Sequence, residues 1–385
     1  MKQYNIPVLL SFVLCILLLA SWAGAEIIED EEEILLDDVF ENWGADMETQ
    51  FSSQEETVII PDETLEPDGS TLITISATGD FTIGGDSRKR TDIFQDELDR
   101  QNGDINFTMK NMRDVFLADD LTIVNFEGTL TDSTFVPQSK KNNQFLFSAP
   151  PSYVSMLSDN GIEAVALENN HIMDHGEDAY EDTKEALRSA NIVYSNSTEL
   201  GTFTTKGVTI AMLSYLCIDR YDSLWDKVPA DIQKAKAEYP IVIVSFHWGN
   251  EKDYAPTKNQ IRMGRLAVDS GADLVLGHHS HRMNPIEKYN GVYICYSLGN
   301  FCFSGNSKPS DMLSYVFQIR FRVKNGEAQS EGFRIIPISI SSRKDRNDFI
   351  PTVLTKETSI DAVLTTLKAN GRSLEYAVEE YPLDW

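Results

Sequence analysis

Short hydrophobic segments alternate with amphipathic ones over much of the chain, and five of the hydrophobic segments run directly into polar residues. The five segments are compact and partly β-branched, which is typical of buried strands. They cover residues 71–78, 121–124, 164–167, 241–246 and 273–276. Helical periodicity between them spans residues 151–160, 177–190 and 259–271. The alternation predicts an α/β fold.

Polar residues follow all five predicted strands at their carboxyl ends. In open α/β sheets, ligands bind just beyond these ends, so we expect side chains distant in sequence to meet at one edge. Residues 292–341 add further strand-like alternation, for example YVFQIRFRV at 315–323, which predicts a second sheet packed on the first. A last helix is expected over residues 359–370.

Histidines are concentrated in one part of the sequence. All six lie between His171 and His281, and three fall within residues 278–281. An isolated histidine near a strand end is usually a structural residue, but a His-x-His pair at one strand end with His247 at another favours metal binding. The predicted metal ligands are Asp80, Glu127, Asn170, His247, His279 and His281.

The types of ligand limit which metals the site could bind. Imidazole, carboxylate and amide donors without thiolates suit Mn, Fe or Zn. Six side chains exceed what one ion normally takes from a protein, so we expect two divalent ions about 3.5–4 Å apart, with Glu127 as the bridge. Such a pair activates water and stabilises charge on a phosphoryl or similar oxygen.

Residues beside the ligands have predicted secondary roles. His171 follows Asn170 and is a candidate proton donor to a leaving oxygen, with Asp174 orienting it. Charge at a helix N-terminus is the alternative role for Asp174. Arg88 and Arg282 are candidates for holding an anionic substrate, and surface arginine is the alternative.

The N-terminal region predicts export. Lys2, an apolar stretch over residues 6–20 and the Ala-Gly-Ala sequence at 23–25 are typical of a signal peptide, which we place at residues 1–25. An uncleaved membrane anchor is the alternative, because the apolar stretch approaches the length that spans a bilayer. Both interpretations place the rest of the chain outside the cytoplasm, secreted or attached to the outer face of the membrane.

An acidic segment comes next. Residues 26–68 contain seventeen Asp and Glu and no Lys or Arg, within a chain of net charge −27. This composition predicts a disordered tether over residues 26–70, or alternatively a docking arm for a basic partner. The acidity argues against nucleic acid as a partner. The rest should form one α/β domain at 71–345 and a C-terminal helical extension at 346–385.

Three cysteines lie in the predicted domain. Cys217, Cys295 and Cys302 are an odd number, which excludes a complete disulfide framework. Cys295 and Cys302 flank Gly299 and are close enough in sequence to pair across a turn. We expect buried free thiols instead.

Six segments together resemble the CapA family of poly-γ-glutamate capsule biosynthesis proteins, also described as PGA_cap. The matching segments are ATGDFTIG at 77–84, VNFEG at 124–128, NNHIMDHG at 169–176, HWG at 247–249 followed by Glu251, Pro256 and Gln260, GHHSH at 277–281 and YSLGNF at 296–301. The resemblance runs in order over residues 72–303.

The resemblance implies a fold similar to calcineurin-like metallophosphatases, a sandwich of two mixed β-sheets flanked by helices. It implies the same six metal ligands, with Glu127 as the bridging acid and His171 as the proton donor. The implied partners are poly-γ-glutamate at the cell surface and a membrane-bound polymer synthetase complex. Metallophosphatases usually have a histidine where this chain has Thr82, and an aspartate where it has Glu127.

Three functions are consistent with these features. The first is an extracytoplasmic metal-dependent hydrolase that cleaves a phosphoester or an amide bond in a polymer, favoured by the ligands at five strand ends. The second is a non-enzymatic accessory of polymer synthesis or export, favoured by Thr82 and the acidic tether. The third is a secreted metallophosphoesterase unrelated to capsule.

Overall fold

The computed structural model describes residues 65–86, 88–89, 91–138, 145–218 and 221–385, which belong to the compact unit Glu63–Trp385. The predicted signal segment and nearly all of the predicted tether lie outside these residues. The last six residues of that tether are described, and within them Ser70 is buried and accepts a hydrogen bond from Arg322 Nη1 at 2.7 Å. None of the described helices has the length and apolar character needed to span a membrane.

The described residues form alternating strands and helices. The strands are β1 (Thr71–Thr82), β2 (Leu121–Phe126), β3 (Thr129–Leu130), β4 (Ser148–Ala149), β5 (Ala164–Ala166), β6 (Val193–Ser195), β7 (Gly201–Thr205), β8 (Val208–Cys217), β9 (Ile241–Trp248), β10 (Leu274–His278), β11 (Ile286–Tyr289), β12 (Val292–Cys295), β13 (Asn300–Phe303), β14 (Leu313–Lys324), β15 (Glu327–Ser339) and β16 (Thr352–Val353). The α-helices are α1 (Ile93–Arg100), α2 (Arg113–Phe116), α3 (Ser155–Ser158), α4 (Glu177–Ser189), α5 (Leu224–Lys236), α6 (Lys258–Asp269) and α7 (Glu357–Asn370), and 3-10 turns occur at Ile105–Met109 and Pro151–Val154.

Two mixed sheets make up the centre of the fold. The larger has the order β16-β15-β14-β1-β2-β5-β6, with β13 also paired to β1. The smaller has the order β11-β12-β10-β9-β8-β7, in which the edge strands β7 and β11 are antiparallel and the inner ones parallel. The predicted α/β fold with two mixed sheets flanked by helices is confirmed.

The predicted membership of the second sheet was wrong. Strands β14 and β15, from the alternating stretch 315–323 and its successor, extend the larger sheet, because β14 pairs antiparallel with β1. The smaller sheet is built mainly from β8, β9 and β10, with β12 as the contribution from residues 292–341. Alternation shows that one face of a strand is buried, and it does not identify the neighbouring strand.

Hydrophobic side chains bind the layers together. Between the sheets, Ile75 of β1 and Phe317 of β14 belong to the same buried cluster as Ile243 of β9. Helices α1–α4 cover the outer face of the larger sheet, and α5 and α6 cover the outer face of the smaller one. The inner strands β2, β9 and β10 are buried on both faces, which explains why the runs that predict them are nearly continuous in apolar residues.

Residues 346–385 pack on the same cores. Phe349 and Ile350 are buried with the helices that cover the larger sheet, and Val363 and Leu367 of α7 are buried with the cluster between the sheets. The helix predicted at 359–370 is present as α7. Of the other predicted helices, residues 151–160 form a 3-10 turn and the single-turn helix α3 instead of one continuous helix.

All three described cysteines are free and buried, as expected. Cys295 lies in β12 of the smaller sheet, whereas Cys302 lies in β13, which pairs with the larger sheet. The turn that separates them in sequence therefore joins two different sheets.

Two glycines allow the backbone to pack closely where β1 approaches its end. The Asp80 amide donates to Gly299 O at 2.9 Å, and a Cβ added at Gly79 would lie 2.0 Å from that same oxygen. A backbone carbonyl cannot move aside to relieve such an overlap, whereas the end of a flexible side chain can. Only glycine at position 79 therefore allows the close backbone contact that positions Asp80.

Replacing Gly79 tests this close contact. Gly79→Ala should lower the free energy of unfolding by about 3 kcal/mol, because the added methyl overlaps backbone. The control is Gly291→Ala, since Gly291 has φ +86° and open space around it and should cost only about 1 kcal/mol. Unfolding in urea, monitored by circular dichroism, measures the free energy of unfolding of both variants. Equal losses in the two variants would contradict the steric account.

Asp119, whose carboxyl group lies two residues before β2, should make the free energy of unfolding depend on pH. Burial raises the pKa of Asp119 to about 7; hydrogen bonds from Ser76 and Thr122 oppose this rise, and the charge of Glu163 adds to it. A carboxyl group whose pKa is higher in the folded protein than in the unfolded chain favours folding at a pH below both pKa values. This contribution is lost as the pH rises to the pKa of the folded state. Asp119→Asn should therefore raise the free energy of unfolding at pH 8 by about 1 kcal/mol or more, and change it little at pH 4. A variant equally stabilised at both pH values would exclude this carboxyl as the cause.

Candidate metal centre

The carboxyl ends of four parallel strands meet at one edge of the sandwich. Asp80 lies near the end of β1 and Glu127 directly follows β2, both in the larger sheet. His247 lies near the end of β9, and the His-x-His pair follows β10, both in the smaller sheet. The predicted convergence is present, but the residues come from two facing sheets instead of the rim of one.

Asp80, Glu127 and His281 form the tightest group. One potential ligand atom from each lies within 4.8 Å of the others. Asp80 Oδ2 is 3.0 Å from His281 Nδ1, and Glu127 Oε1 is 4.0 Å from His281 Nε2. Because His281 Nδ1 also faces Asn300 Oδ1 at 2.9 Å, that nitrogen carries a proton and Nε2 is the nitrogen that faces Glu127.

Glu127 lies at the centre of the cluster. Its Oε1 is 3.7 Å from His171 Nε2, 3.8 Å from His247 Nε2 and 4.0 Å from His281 Nε2. These distances are too long for hydrogen bonds, and Oε1 has no hydrogen-bond partner among the described residues. A buried oxygen surrounded by imidazole nitrogens with this spacing matches the donor set of a transition-metal ion.

His247 and His279 form the opposite side of the cluster, with ring centroids 4.7 Å apart. Within the described residues, His247 Nε2 and His279 Nδ1 lack hydrogen-bond partners, and so does the buried Oδ1 of Asn170. Burial holds the pKa of His247 well below its usual value and lowers that of His279 to about 4. Neutral imidazole is the form that binds metal, so both rings are in the required state.

Without a metal cation, protons balance the charge of the buried carboxylates in the cluster. Burial and the neighbouring Asp80 raise the pKa of Glu127 to about 7. Burial opposes protonation of His281, but the carboxylates of Glu127 and Asp80 raise its pKa to about 9. Protons therefore neutralise the buried carboxylates at neutral pH, and divalent cations would replace them.

His171 lies beside Glu127 at the edge of the cluster. Its Nδ1 is 2.6 Å from Asp174 Oδ2, which also accepts a hydrogen bond from the Phe147 amide at 2.9 Å. A carboxylate at this distance accepts the Nδ1 proton and fixes the ring, so Nε2 faces Glu127. The predicted pairing of His171 with Asp174 is thus present in the structure.

A cavity of about 490 Å³ opens beside the cluster. His171 and His281 lie on its wall, together with Glu251, Lys252 and Arg282. Of the two arginines expected to hold an anion, Arg282 lines this cavity. The Arg88 guanidinium pairs with Asp86 at 2.7 Å, and Arg88 is not among the residues that line the cavity.

The sequence predictions missed three buried polar residues. Asn125 donates to Asp80 Oδ1 at 2.9 Å, Asn300 accepts from His281, and His278 Nδ1 is 3.7 Å from Asp80 Oδ1. One signal was available for Asn125, because residues two apart in an extended segment share a face and Glu127 lies two residues on. His175 Nδ1, by contrast, donates to the backbone oxygen of Phe135 at 2.8 Å.

Comparison with known proteins identifies relatives of this chain. A sequence model described as bacterial capsule synthesis protein PGA_cap matches residues 74–305. The PGA biosynthesis protein CapA of Bacillus subtilis (strain 168) is 32% identical over 247 residues, covering 59% of this chain and 63% of that protein. Capsule biosynthesis protein CapA of Bacillus anthracis is 27% identical over 272 residues, covering 62% and 64%.

A probable polyglutamine synthesis accessory protein of Mycobacterium tuberculosis (strain ATCC 25618 / H37Rv) is 28% identical over 214 residues, covering 48% of this chain and 55% of that protein. The chain thus spans less than two thirds of the length of these relatives. Among solved structures, the calcineurin-like phosphoesterase YfkN from Bacillus subtilis aligns with 79% of this chain at 16% identity, with a TM-score of 0.38.

The family match confirms the resemblance inferred from the motifs. It begins within β1 before Asp80 and ends after β13, so it includes all six predicted ligands as well as His171 and Asp174. Since it covers more than half of the sequence, the chain belongs to the bacterial capsule synthesis protein family PGA_cap.

Proposed function

We propose that the chain is a metal-dependent hydrolase that acts in the synthesis or export of a cell-surface polymer. The observation that supports it best is Glu127 Oε1, a buried oxygen without a hydrogen-bond partner in the described structure, surrounded by the imidazoles of His171, His247 and His281. The names of the relatives, which refer to PGA and capsule biosynthesis, support poly-γ-glutamate as the polymer.

Two divalent ions, Mn, Fe or Zn, are the proposed cofactors. Asp80 and His281 would hold one, Asn170, His247 and His279 the other, and Glu127 both. When bound, such ions supply an activated water and stabilise negative charge on the reacting group. The protein contributes neutral imidazoles, buried carboxylates and a site largely closed to solvent.

His171 is the proposed general acid. Asp174 accepts the Nδ1 proton and holds the ring, which leaves Nε2 directed towards the cluster. A protonated Nε2 would donate to the leaving oxygen or nitrogen as its bond breaks. Arg282 and Lys252 on the cavity wall would attract an anionic substrate, either a phosphoester or a polymer carboxylate.

The proposed location is outside the cytoplasm, secreted or attached to the outer face of the cell membrane, beside a membrane-bound polymer synthetase. The export signal predicted at residues 1–25 supports the location. A non-enzymatic accessory of that complex is the second candidate. It is favoured by Thr82, whose buried side chain contributes only a hydroxyl 3.5 Å from Glu127 Oε2 where metallophosphatases carry another imidazole.

Metal content tests the centre. The purified protein should contain two transition-metal ions per chain by plasma mass spectrometry, and Glu127→Ala and His279→Ala should each lose metal, because the buried ligand sets become incomplete. His175→Asn is the matched control, since this buried imidazole is bonded to a backbone carbonyl and should be dispensable for metal binding. A parent protein that stays metal-free after reconstitution would contradict the proposal.

Substituting His171 tests its role in proton transfer separately from metal binding. His171→Asn should keep both ions and lower kcat about 100- to 10,000-fold on a phosphodiester or γ-glutamyl oligomer, because general acid catalysis is removed. Asp174→Asn should show a smaller loss, since it removes only the group that orients the ring. Polymer output in cells that is unchanged by His171→Asn would favour the accessory role instead.

A further inference from the structure

A row of cations lies on the outer face of the larger sheet. Arg320, Arg322 and Lys324 occupy alternate positions of β14, so their side chains share one face, whereas Phe321 and Val323 between them are buried between the sheets. All three cations are at least partly exposed. A chain of net charge −27 therefore has a local positive surface here.

This surface is separate from the metal centre. Arg320 pairs with Thr74 of β1, and Asp80 lies six residues farther along the same strand. A strand rises about 3.3 Å per residue, so about 20 Å separate Arg320 from the centre. The surface also lies beyond residue 305, where the family match ends. Neither the metal centre nor the matched family segment therefore accounts for it.

Arg334 of β15 adds a fourth cation to this surface. Its guanidinium carbon lies 5.1 Å from the ring centroid of the exposed Trp385, and that of Arg320 lies 3.9 Å from the same centroid. Arg334 Nε donates to Gln318 Oε1 at 2.7 Å, whereas Arg320 Nε is buried and has no hydrogen-bond partner within the described residues. Neither guanidinium forms an ion pair with a carboxylate of the described chain.

Two guanidiniums beside one indole ring repel each other. Burial lowers the pKa of Arg334 and the charge of Arg320 adds to this lowering, while the charge of Asp384 opposes it. Stacking on an indole attracts a guanidinium without removing its charge. An anion bound by both guanidiniums would remove the repulsion.

The other two cations have exchangeable partners. Arg322 pairs with Glu331, and Lys324 Nζ lies 3.7 Å from Asp68 Oδ2, with both carboxylates at the surface. Exposed ion pairs contribute little to stability, so the carboxylates of a bound ligand can replace these partners. At physiological salt, exposed charges interact over about 8 Å, so the nearby cations outweigh the net charge of the whole chain.

We propose that this surface binds a linear polymer of carboxylates, with Arg320 and Arg334 as its main anchors. A guanidinium binds a carboxylate through two parallel hydrogen bonds. Neighbouring cations of the β14 row are about 7 Å apart, which suits a chain with a carboxylate on every residue better than a single ion. The choice of poly-γ-glutamate as this polymer rests on the proposed function. The surface itself depends on neither metal nor hydrolysis, and it would hold the polymer on the protein away from the metal centre.

The test is a titration of a fluorescently labelled γ-glutamyl oligomer with the full-length protein at about 0.15 M salt, followed by anisotropy. The double variant Arg320→Gln, Arg334→Gln should bind the oligomer about 10- to 100-fold more weakly, because charge-assisted hydrogen bonds are lost. The matched control is Arg343→Gln with Lys344→Gln, which removes the same charge from an exposed segment and should leave the affinity unchanged. Arg320→Lys with Arg334→Lys serves if the glutamine variant fails to fold. It keeps the charge and loses the paired hydrogen bonds, so it should show a smaller loss.

Trp385 reports where the oligomer binds. Unlabelled oligomer should change the tryptophan fluorescence of the parent protein, and Trp385→Phe should still bind the oligomer but lose most of this change. A parent that does not bind the oligomer, or an arginine double variant that binds it as tightly as the control, would overturn the proposal. So would a fluorescence change that persists in Trp385→Phe. A protein that binds the oligomer at this surface and hydrolyses nothing refutes the hydrolase and supports the polymer site.

Discussion

The placement of two carboxylates side by side in a buried site is the constraint on which the rest of the structure depends. Asp80 and Glu127 are 0% and 1% exposed, and each would repel the other if both were ionised without compensation. Burying charge is costly unless opposite charge is close by. Among the surrounding imidazoles, His247, His278 and His279 have depressed pKa values and are neutral, and His281, whose pKa is raised, supplies one positive charge for two carboxylates. Divalent cations satisfy this requirement, and the chain provides the neutral nitrogen donors such ions need.

The fold makes this arrangement possible because the ligands belong to two facing sheets. Strands β1 and β2 carry acids and β9 and β10 carry histidines, so the carboxylates and imidazoles approach each other across the sandwich. The close backbone contact of Gly79 with Gly299 fixes the position of Asp80 at the end of β1. The side chains of Asn125 and His247 are in contact and connect the two sheets at the site. His171 and its partner Asp174 lie in a loop, and His171 borders both the cluster and the cavity.

Much of this was predictable from sequence because strand ends are marked by abrupt changes from apolar to polar residues. Asp80, Glu127, His247 and His281 were predicted as ligands and are brought together, and the pairing of His171 with Asp174 follows from their spacing. Sheet membership was not predictable, since alternation in β14 fits either sheet. His278 was missed for a different reason. Its proximity to Asp80 is a contact between the sheets, and a single sequence does not show which residues of one sheet face those of the other.

The central claim is that the buried cluster is a dinuclear metal site, and crystals grown with Mn²⁺ test it most directly. Anomalous scattering should show two peaks about 3.5–4 Å apart, with Glu127 between them. One peak should contact Asp80 and His281 and the other His247 and His279. Crystals saturated with Mn²⁺ that show no peak in the cluster, with His281 Nδ1 still against Asp80, would contradict the account.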